Sequence, residues 1–175
     1  SRHDDAHERT LFRFQLLYSI LISLDFVHAR QFGHLDVTPG NLMCCLQLRK
    51  DRPTLNVRFI DFGSARFTVG SGIDTIHIGT QSILGITQSY ASPEIIEAAS
   101  ARTPNRPEIT MASDMFSFGI IALQVLTGKL PSVLTAMPSS LKLALLSDLP
   151  YPELHMPIVA CTEFEPADRP TSAAL

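Results

Sequence analysis

A chain of 175 residues with 45% apolar and 18% charged content has room for one soluble globular domain with a real core, and its composition excludes an overall disordered polymer. The formal charge of −3 and the scatter of Lys and Arg supply neither a basic stripe for nucleic acid nor a polybasic patch for an anionic membrane. Three cysteines, Cys44, Cys45 and Cys161, lack paired zinc spacing, so they read as reduced thiols in apolar strand or helix positions, and a disulfide scaffold is disfavoured.

From Leu11, the apolar residues Leu11, Phe14, Leu17, Tyr18, Leu21, Leu24 and Val27 recur at three and four, which predicts a helix to about Arg30 with one face inward. Gly33 releases it. His3 and His7 lie four apart but read as a charged helix start rather than a metal pair, and His28 reads as a packed helix-end histidine, since nothing in the sequence pairs with it. The apolar windows 16–27 and 115–126 run about a dozen residues with polar interruptions, short of the ~20 that a membrane span requires. The first nine residues are mostly charged or His, which is no secretory signal, so the default expectation is an intracellular protein.

Two strands are predicted at 42–48 and 55–60, joined by a charged turn with Pro53 into an antiparallel hairpin that brings Asn41 and Asp61 together. Residues 64–89 are rich in Ser and Thr, with Gly70, Gly72 and Gly79, and read as one long mobile loop. Residues 98–110 read as a surface connection. A buried helix follows, capped by Ser113 or Asp114, carrying Met115, Phe118, Ile121, Ala122 and Val125 and ended by Gly128 and Pro131. Further helices are predicted over 139–149 and 153–162, with another starting at Thr171-Ser172. The chain opens on Ser and closes just after that signal, so it looks cut at both ends.

The loop His34-Leu35-Asp36-Val37-Thr38-Pro39-Gly40-Asn41 places a carboxylate and a carboxamide five residues apart, and Ile60-Asp61-Phe62-Gly63 adds a second carboxylate at the end of a strand. Alone, each reads as a turn. Together they resemble the catalytic loop and metal-binding motif of eukaryotic protein kinases. Tyr90-Ala91-Ser92-Pro93-Glu94 resembles the end of the kinase activation segment. The run from Ser113-Asp114 through Gly119 to Gly128 and Pro131 resembles the central helix of the large lobe, and Glu165-Pro166-Ala167-Asp168-Arg169-Pro170 resembles the loop before the last helix. These motifs stand in kinase order across essentially the whole chain.

The resemblance implies a mainly α protein with a small β-hairpin: a kinase-like C-terminal lobe (α+β) spanning 1–175, with the N-terminal lobe absent, catalytic loop 34–41, activation segment 61–94 and central helix 113–127. It implies Asp36 as catalytic base, Thr38 near the transferred phosphate, Asn41 and Asp61 as ligands of Mg²⁺ and ATP, and Gly63 after Phe62 as a pivot. Thr87 would meet Asp36, Glu94 would pair with Arg169, and Asp114 would steady the loop by accepting its backbone N–H groups. It implies a protein substrate, with Ser/Thr specificity argued from Thr87, and the missing small lobe as a further partner. Leu35 replaces the Arg that pairs with a loop phosphate, and Thr38 replaces a Lys. The alternatives are a pseudokinase or scaffold fragment binding protein partners without catalysis, and a small-molecule phosphotransferase of the aminoglycoside or choline kinase type. The later motifs argue against the second.

Overall fold

The structure, a computed structural model, describes residues 2–48, 53–67, 75–76, 87–100 and 108–175. In chain order these form α1 (Arg2–His28), β1 (Phe32–Gly33), β2 (Leu42–Leu48), β3 (Pro53–Phe59), β4 (Arg66–Phe67), β5 (Thr75–Ile76), α2 (Pro93–Ser100), β6 (Ile109–Thr110), α3 (Ala112–Thr127), α4 (Pro131–Ala136), α5 (Ser139–Leu146) and α6 (His155–Ala160). Helix dominates, and the strands pair antiparallel as β1–β4, β2–β3 and β5–β6.

The core is built around α3, which is buried continuously from Ser113 to Leu123 and again at Leu126. A helix that is apolar nearly all round has no solvent face to offer, so it must be packed on every side. Each fully buried Ile or Leu there contributes roughly 1.5–3 kcal/mol of transfer free energy. α3 ends where Gly128 adopts φ 70° and its N–H donates to the Gln124 carbonyl at 2.8 Å, a left-handed cap that suits glycine. Its start differs from expectation. Met111 stands at the cap without a side-chain bond, while Ser113 and Asp114 lie inside the first turn with their side chains engaged elsewhere.

α1 lies across α3 and β3 with Leu17, Ile20, Leu24 and Val27 buried. Leu11 and Tyr18, expected inward, are 40% and 66% exposed, because the contact centres on the Leu17–Leu24 line and these two fall beside it. With Ile22 and Phe26, also exposed, they make the outer face apolar too. By length and composition, His7–His28 is long and apolar enough to cross a membrane, which corrects the shorter windows counted from sequence; its inner side is built into the core. The Ser19 and Ser23 hydroxyls donate to the Leu55 and Val57 carbonyls, so α1 also covers the outer edge of β3.

The β2–β3 register runs from Leu42↔Phe59 to Leu48↔Pro53, burying Val57 and Phe59 and exposing Asn56 and Arg58. Cys44 and Cys45 are exposed, not apolar positions as expected, because α1 covers β3 and leaves β2 outside. Cys161 is fully buried, and burial pushes its thiol up to about 12.

Several elements correct the reading of the sequence. The stretch 64–89 contains β4 and β5; Phe32 and Phe67 stack with ring centroids 3.7 Å apart across β1–β4. Gly70, Gly72, Gly79 and the turn at 49–52 lie outside the described residues. The supposed connection 98–110 begins inside α2 and ends in β6, where Ile109 is 2% exposed. Pro131 opens α4 rather than merely stopping α3, since proline's fixed φ and missing N–H suit a first helical position. The final helix start at Thr171 is a 3-10 turn, Ser172–Ala174.

Two close contacts hold the helices in place. A Cβ on Gly119 would lie 2.6 Å from Thr162 Cγ2 and 2.7 Å from Cys161 Cβ, so glycine lets the end of α6 sit directly on α3. Glu94 and Arg169 form a buried bidentate pair at 2.6 and 2.9 Å, Ser113 Oγ donates to Glu94 Oε1 at 2.6 Å, and the remaining guanidinium donors reach the Glu163, Phe164 and Ala112 carbonyls. Burial works to raise the Glu94 carboxyl, but the bonds from Arg169 and Ser113 and the Arg169 charge outweigh it and hold the group below its ordinary 4.5.

Gly119→Ala is expected to destabilise the chain by about 1–3 kcal/mol through overpacking, read as a lower urea midpoint; an unchanged midpoint would contradict the contact. Because Glu94 is depressed in the folded state, its contribution is fully present above the unfolded value near 4.5 and disappears as pH falls through the lower folded value. Glu94→Gln should therefore cost about 3–5 kcal/mol at neutral pH by stranding Arg169 and should flatten the acid limb of stability against pH. Parallel acid limbs for the two proteins would count against this assignment.

Candidate functional site

The loop between β1 and β2 folds around Asp36. A 3-10 turn over Pro39–Asn41, closed by the Asn41 N–H to the Thr38 carbonyl at 3.0 Å, turns the Asn41 side chain back toward Asp36. Asn41 Nδ2 donates to both the Asp36 carbonyl at 2.8 Å and Asp36 Oδ2 at 2.7 Å, while the Thr87 N–H donates to Oδ1 at 3.3 Å. The half-buried carboxylate is thus oriented from both sides. Thr38 is only 6% exposed, and Thr87 is exposed.

The Asn41 backbone also meets the residue before the second carboxylate. The Ile60 N–H donates to the Asn41 carbonyl at 2.9 Å, one rung beyond the β2–β3 ladder, so Asp61 sits beside the open end of the hairpin. Asp61 is exposed, with φ 57° and ψ 75°, and its Oδ1 accepts the Gly63 N–H at 3.1 Å. A Cβ on Gly63 would approach that oxygen to 3.0 Å. Among the described residues, no cluster of three or more His, Cys, Asp or Glu could hold a metal. The donors at this end are the Asp61 carboxylate and the Asn41 amide oxygen, whose NH₂ is committed to Asp36. Two hard oxygen donors fit Mg²⁺, which characteristically takes one or two protein ligands and completes its shell with phosphate and water.

His34, fully buried, joins these parts. Its Nε2 faces the Ile60 carbonyl at 3.2 Å and so carries the proton, Nδ1 accepts the Asp36 N–H at 3.4 Å, and the ring packs 5.0 Å from Phe59 and 4.9 Å from Phe62, centroid to centroid. Phe62 itself is 48% exposed. Asp114 holds the start of the loop: His34 N–H donates to its Oδ2 and Leu35 N–H to its Oδ1, both at 2.7 Å.

Leu35 takes φ 62°, a left-handed conformation that costs a non-glycine residue roughly 1–2 kcal/mol. The Asp114 bond and burial of the side chain among Ala91, Ile95, Ala98 and Ile109 offset that cost. At sequence level Leu35 registers only as a missing cation; in the fold it plugs the loop into α2 and β6. His28 is packed at the end of α1 as expected, and it has partners that the sequence does not show: Nε2 lies 3.0 Å from Asp114 Oδ2 and Nδ1 lies 3.1 Å from Ser172 Oγ. Its partners are 86 and 144 residues away, and local pattern carries no signal for contacts at that range.

The model of the protein kinase domain matches residues 4–149. Serine/threonine-protein kinase PknA of Nostoc sp. is 33% identical over 125 residues, covering 71% of this chain and 20% of that protein. Serine/threonine-protein kinase C of Synechocystis sp. is 33% identical over 122 residues, covering 70% of this chain and 20% of that protein. The probable serine/threonine-protein kinase mkcD of Dictyostelium discoideum is 32% identical over 165 residues, covering 89% of this chain and 22% of that protein. The chain therefore spans about a fifth of the length of these curated relatives. With the domain match extending over most of its length, the chain belongs to the protein kinase domain family.

Proposed function

We propose that this chain is the large, mostly helical lobe of a kinase domain whose parent transfers the γ-phosphate of ATP to Ser or Thr hydroxyls of protein substrates. The observation that carries this is the Asp36 carboxylate, held by the Asn41 amide and the Thr87 N–H at the hairpin end that also carries Asp61. Asp36 accepts the proton of the substrate hydroxyl as its oxygen bonds to the phosphorus and the bond to the ADP oxygen breaks. Asn41 keeps the carboxylate aimed, and with Asp61 it would hold Mg²⁺; Mg²⁺ bound to ATP supplies neutralisation of the phosphate charge. Thr87 lies where the segment leading to α2 passes Asp36, and in this reading the substrate hydroxyl approaches the base alongside it. Glu94, Ser113 and Arg169 fix that segment's far end.

The covering elements of the kinase template, a Gly-rich loop, a strand Lys and a helix Glu, are supplied in this reading by the rest of the parent. A scaffold or pseudokinase role is the second reading. It is favoured by the buried Thr38, which brings no positive charge to the transferred phosphate.

The isolated 175-residue chain is expected to show no appreciable ATP turnover in an ADP-release assay with a Ser/Thr peptide present, and robust turnover would overturn the division of labour between the lobes. In a longer protein carrying the covering elements, Asp36→Asn should lower kcat for a Ser/Thr peptide by about 10²-fold or more, the scale of a lost general base. Undiminished phosphorylation by that variant removes Asp36 from the mechanism. A longer wild-type protein that binds partners yet transfers no phosphate establishes the scaffold.

A further inference from the structure

β2 is an edge strand that the rest of the chain leaves open. Among the described residues it pairs with β3 alone, and α1 lies against β3 on the far side of the hairpin. The Asn41 carbonyl accepts the Ile60 N–H, which sets the phase of the ladder. Residues 43, 45 and 47 exchange backbone bonds with 58, 56 and 54, so the backbone groups of 42, 44, 46 and 48 point to the open edge. The Ser19 and Ser23 bonds to the Leu55 and Val57 carbonyls, on the opposite edge, agree with that phase. Leu42 spends its N–H on the Pro39 carbonyl; the N–H and C=O groups of Cys44 and Leu46 form the middle of the edge.

A flat, uncharged edge is a pairing site unless charge, proline or a bulge blunts it. Here none does. From 42 to 48 the strand has no charged residue and no proline, and its register with β3 runs without a bulge. Met43 and Leu46 are 57% and 55% exposed, and Cys44, Cys45 and Gln47 are exposed as well. What fits the edge is set by its own sequence. Leu42-Met43-Cys44-Cys45-Leu46-Gln47-Leu48 reads nearly the same in both directions about Cys45, and a strand that matches its own reverse is what a two-fold interface needs, since one patch must serve both sides.

We propose that the β2 edge takes β2 of a second copy of this chain, antiparallel and centred on Cys45, so that the two hairpins join into one four-stranded sheet. In that register Cys44 stands opposite Leu46 of the second copy in a bonded pair. The two Cys45 residues face each other in a non-bonded pair, where Cα atoms lie about 4.5 Å apart, within disulfide reach. No like charges meet across the axis. One strand a side is less than the ~800 Å² per partner of a standard interface, so the pair is reversible and its population rises with concentration. The two Asn41 residues fall at opposite ends of the shared edge, roughly 27 Å apart along it, so neither Asp36 loop lies on the axis. None of this depends on the chemistry assigned to Asp36.

Sedimentation equilibrium of the reduced 175-residue chain from about 10 μM to about 1 mM, the range of a weak interface, should show the mean mass rising toward twice that of the monomer. Cys45→Lys, at an exposed position, sets two cations directly opposite each other and should hold the mass at the monomer value with an unchanged far-UV spectrum. Oxidation by copper(II)–phenanthroline, in which two thiols give up two protons and two electrons to two copper(II) ions and form one S–S bond, should link the dimer in Cys44→Ser but not in Cys45→Ser. A monomer throughout the range overturns the proposal. A dimer that survives Cys45→Lys also overturns it and belongs to another surface, such as the exposed outer side of α1. A link carried by Cys44 alone refutes the register. In a longer protein carrying the covering elements the Cys45 link should persist; its loss gives the edge to a segment of the parent and overturns the second copy as its occupant.

Discussion

Asp114 is almost completely withdrawn from water, and a carboxylate in that position is tolerable only if donors surround it. Two come from the backbone of the loop and one from the His28 ring. The dependence runs both ways. The buried charge needs the loop's N–H groups, and the loop draws on the charge, because the Leu35 N–H bond to it helps offset the cost of a left-handed backbone. The path of residues 34–41, and with it the direction of Asp36, follows from satisfying one ion inside the core.

The neighbouring residue performs the parallel task for another segment. Ser113 binds Glu94, and Glu94 is clamped by Arg169, so the first turn of α3 grips the Asp36 loop through one side chain and the start of α2 through the next. Farther along, Ser117 Oγ donates to the Tyr90 carbonyl and Gln124 accepts from the Tyr90 hydroxyl, which keeps residues 87–91 against the same helix. A helix buried on all sides thereby organises segments that have little regular structure of their own. Its rigidity is supplied by packing such as the glycine contact with α6, and its polar residues serve as attachment points.

What could be read from the sequence follows the range of the interactions. The Asp36–Asn41 and Asp61–Gly63 units are local, and their spacing alone suggested two carboxylates and an amide near a hairpin end. The hairpin and α3 were legible because alternation at Val57 and Phe59 and a helix without a polar face are strong signals. α2 and α4 are short, with too few residues to establish a period. Leu11 and Tyr18 fit the helical spacing but not the contact, since spacing cannot say where a partner's edge falls. Ser113 and Asp114 looked like caps because Ser and Asp usually satisfy nearby N–H groups; here distant groups won. The roles of Leu35 and His28 rest on residues far along the chain, so they emerged only with the fold.

The arrangement of the thiols has a practical consequence. Cys44 and Cys45 stand exposed on β2, just past Asn41, whereas Cys161 is enclosed beneath Gly119 with a thiol that stays protonated at neutral pH. A thiol-directed dye will therefore modify β2 and spare the core. Replacing either exposed cysteine by serine leaves a single attachment point next to the hairpin end, from which a fluorophore can report on what arrives at Asn41 and Asp61 without chemical change to the residues that orient Asp36.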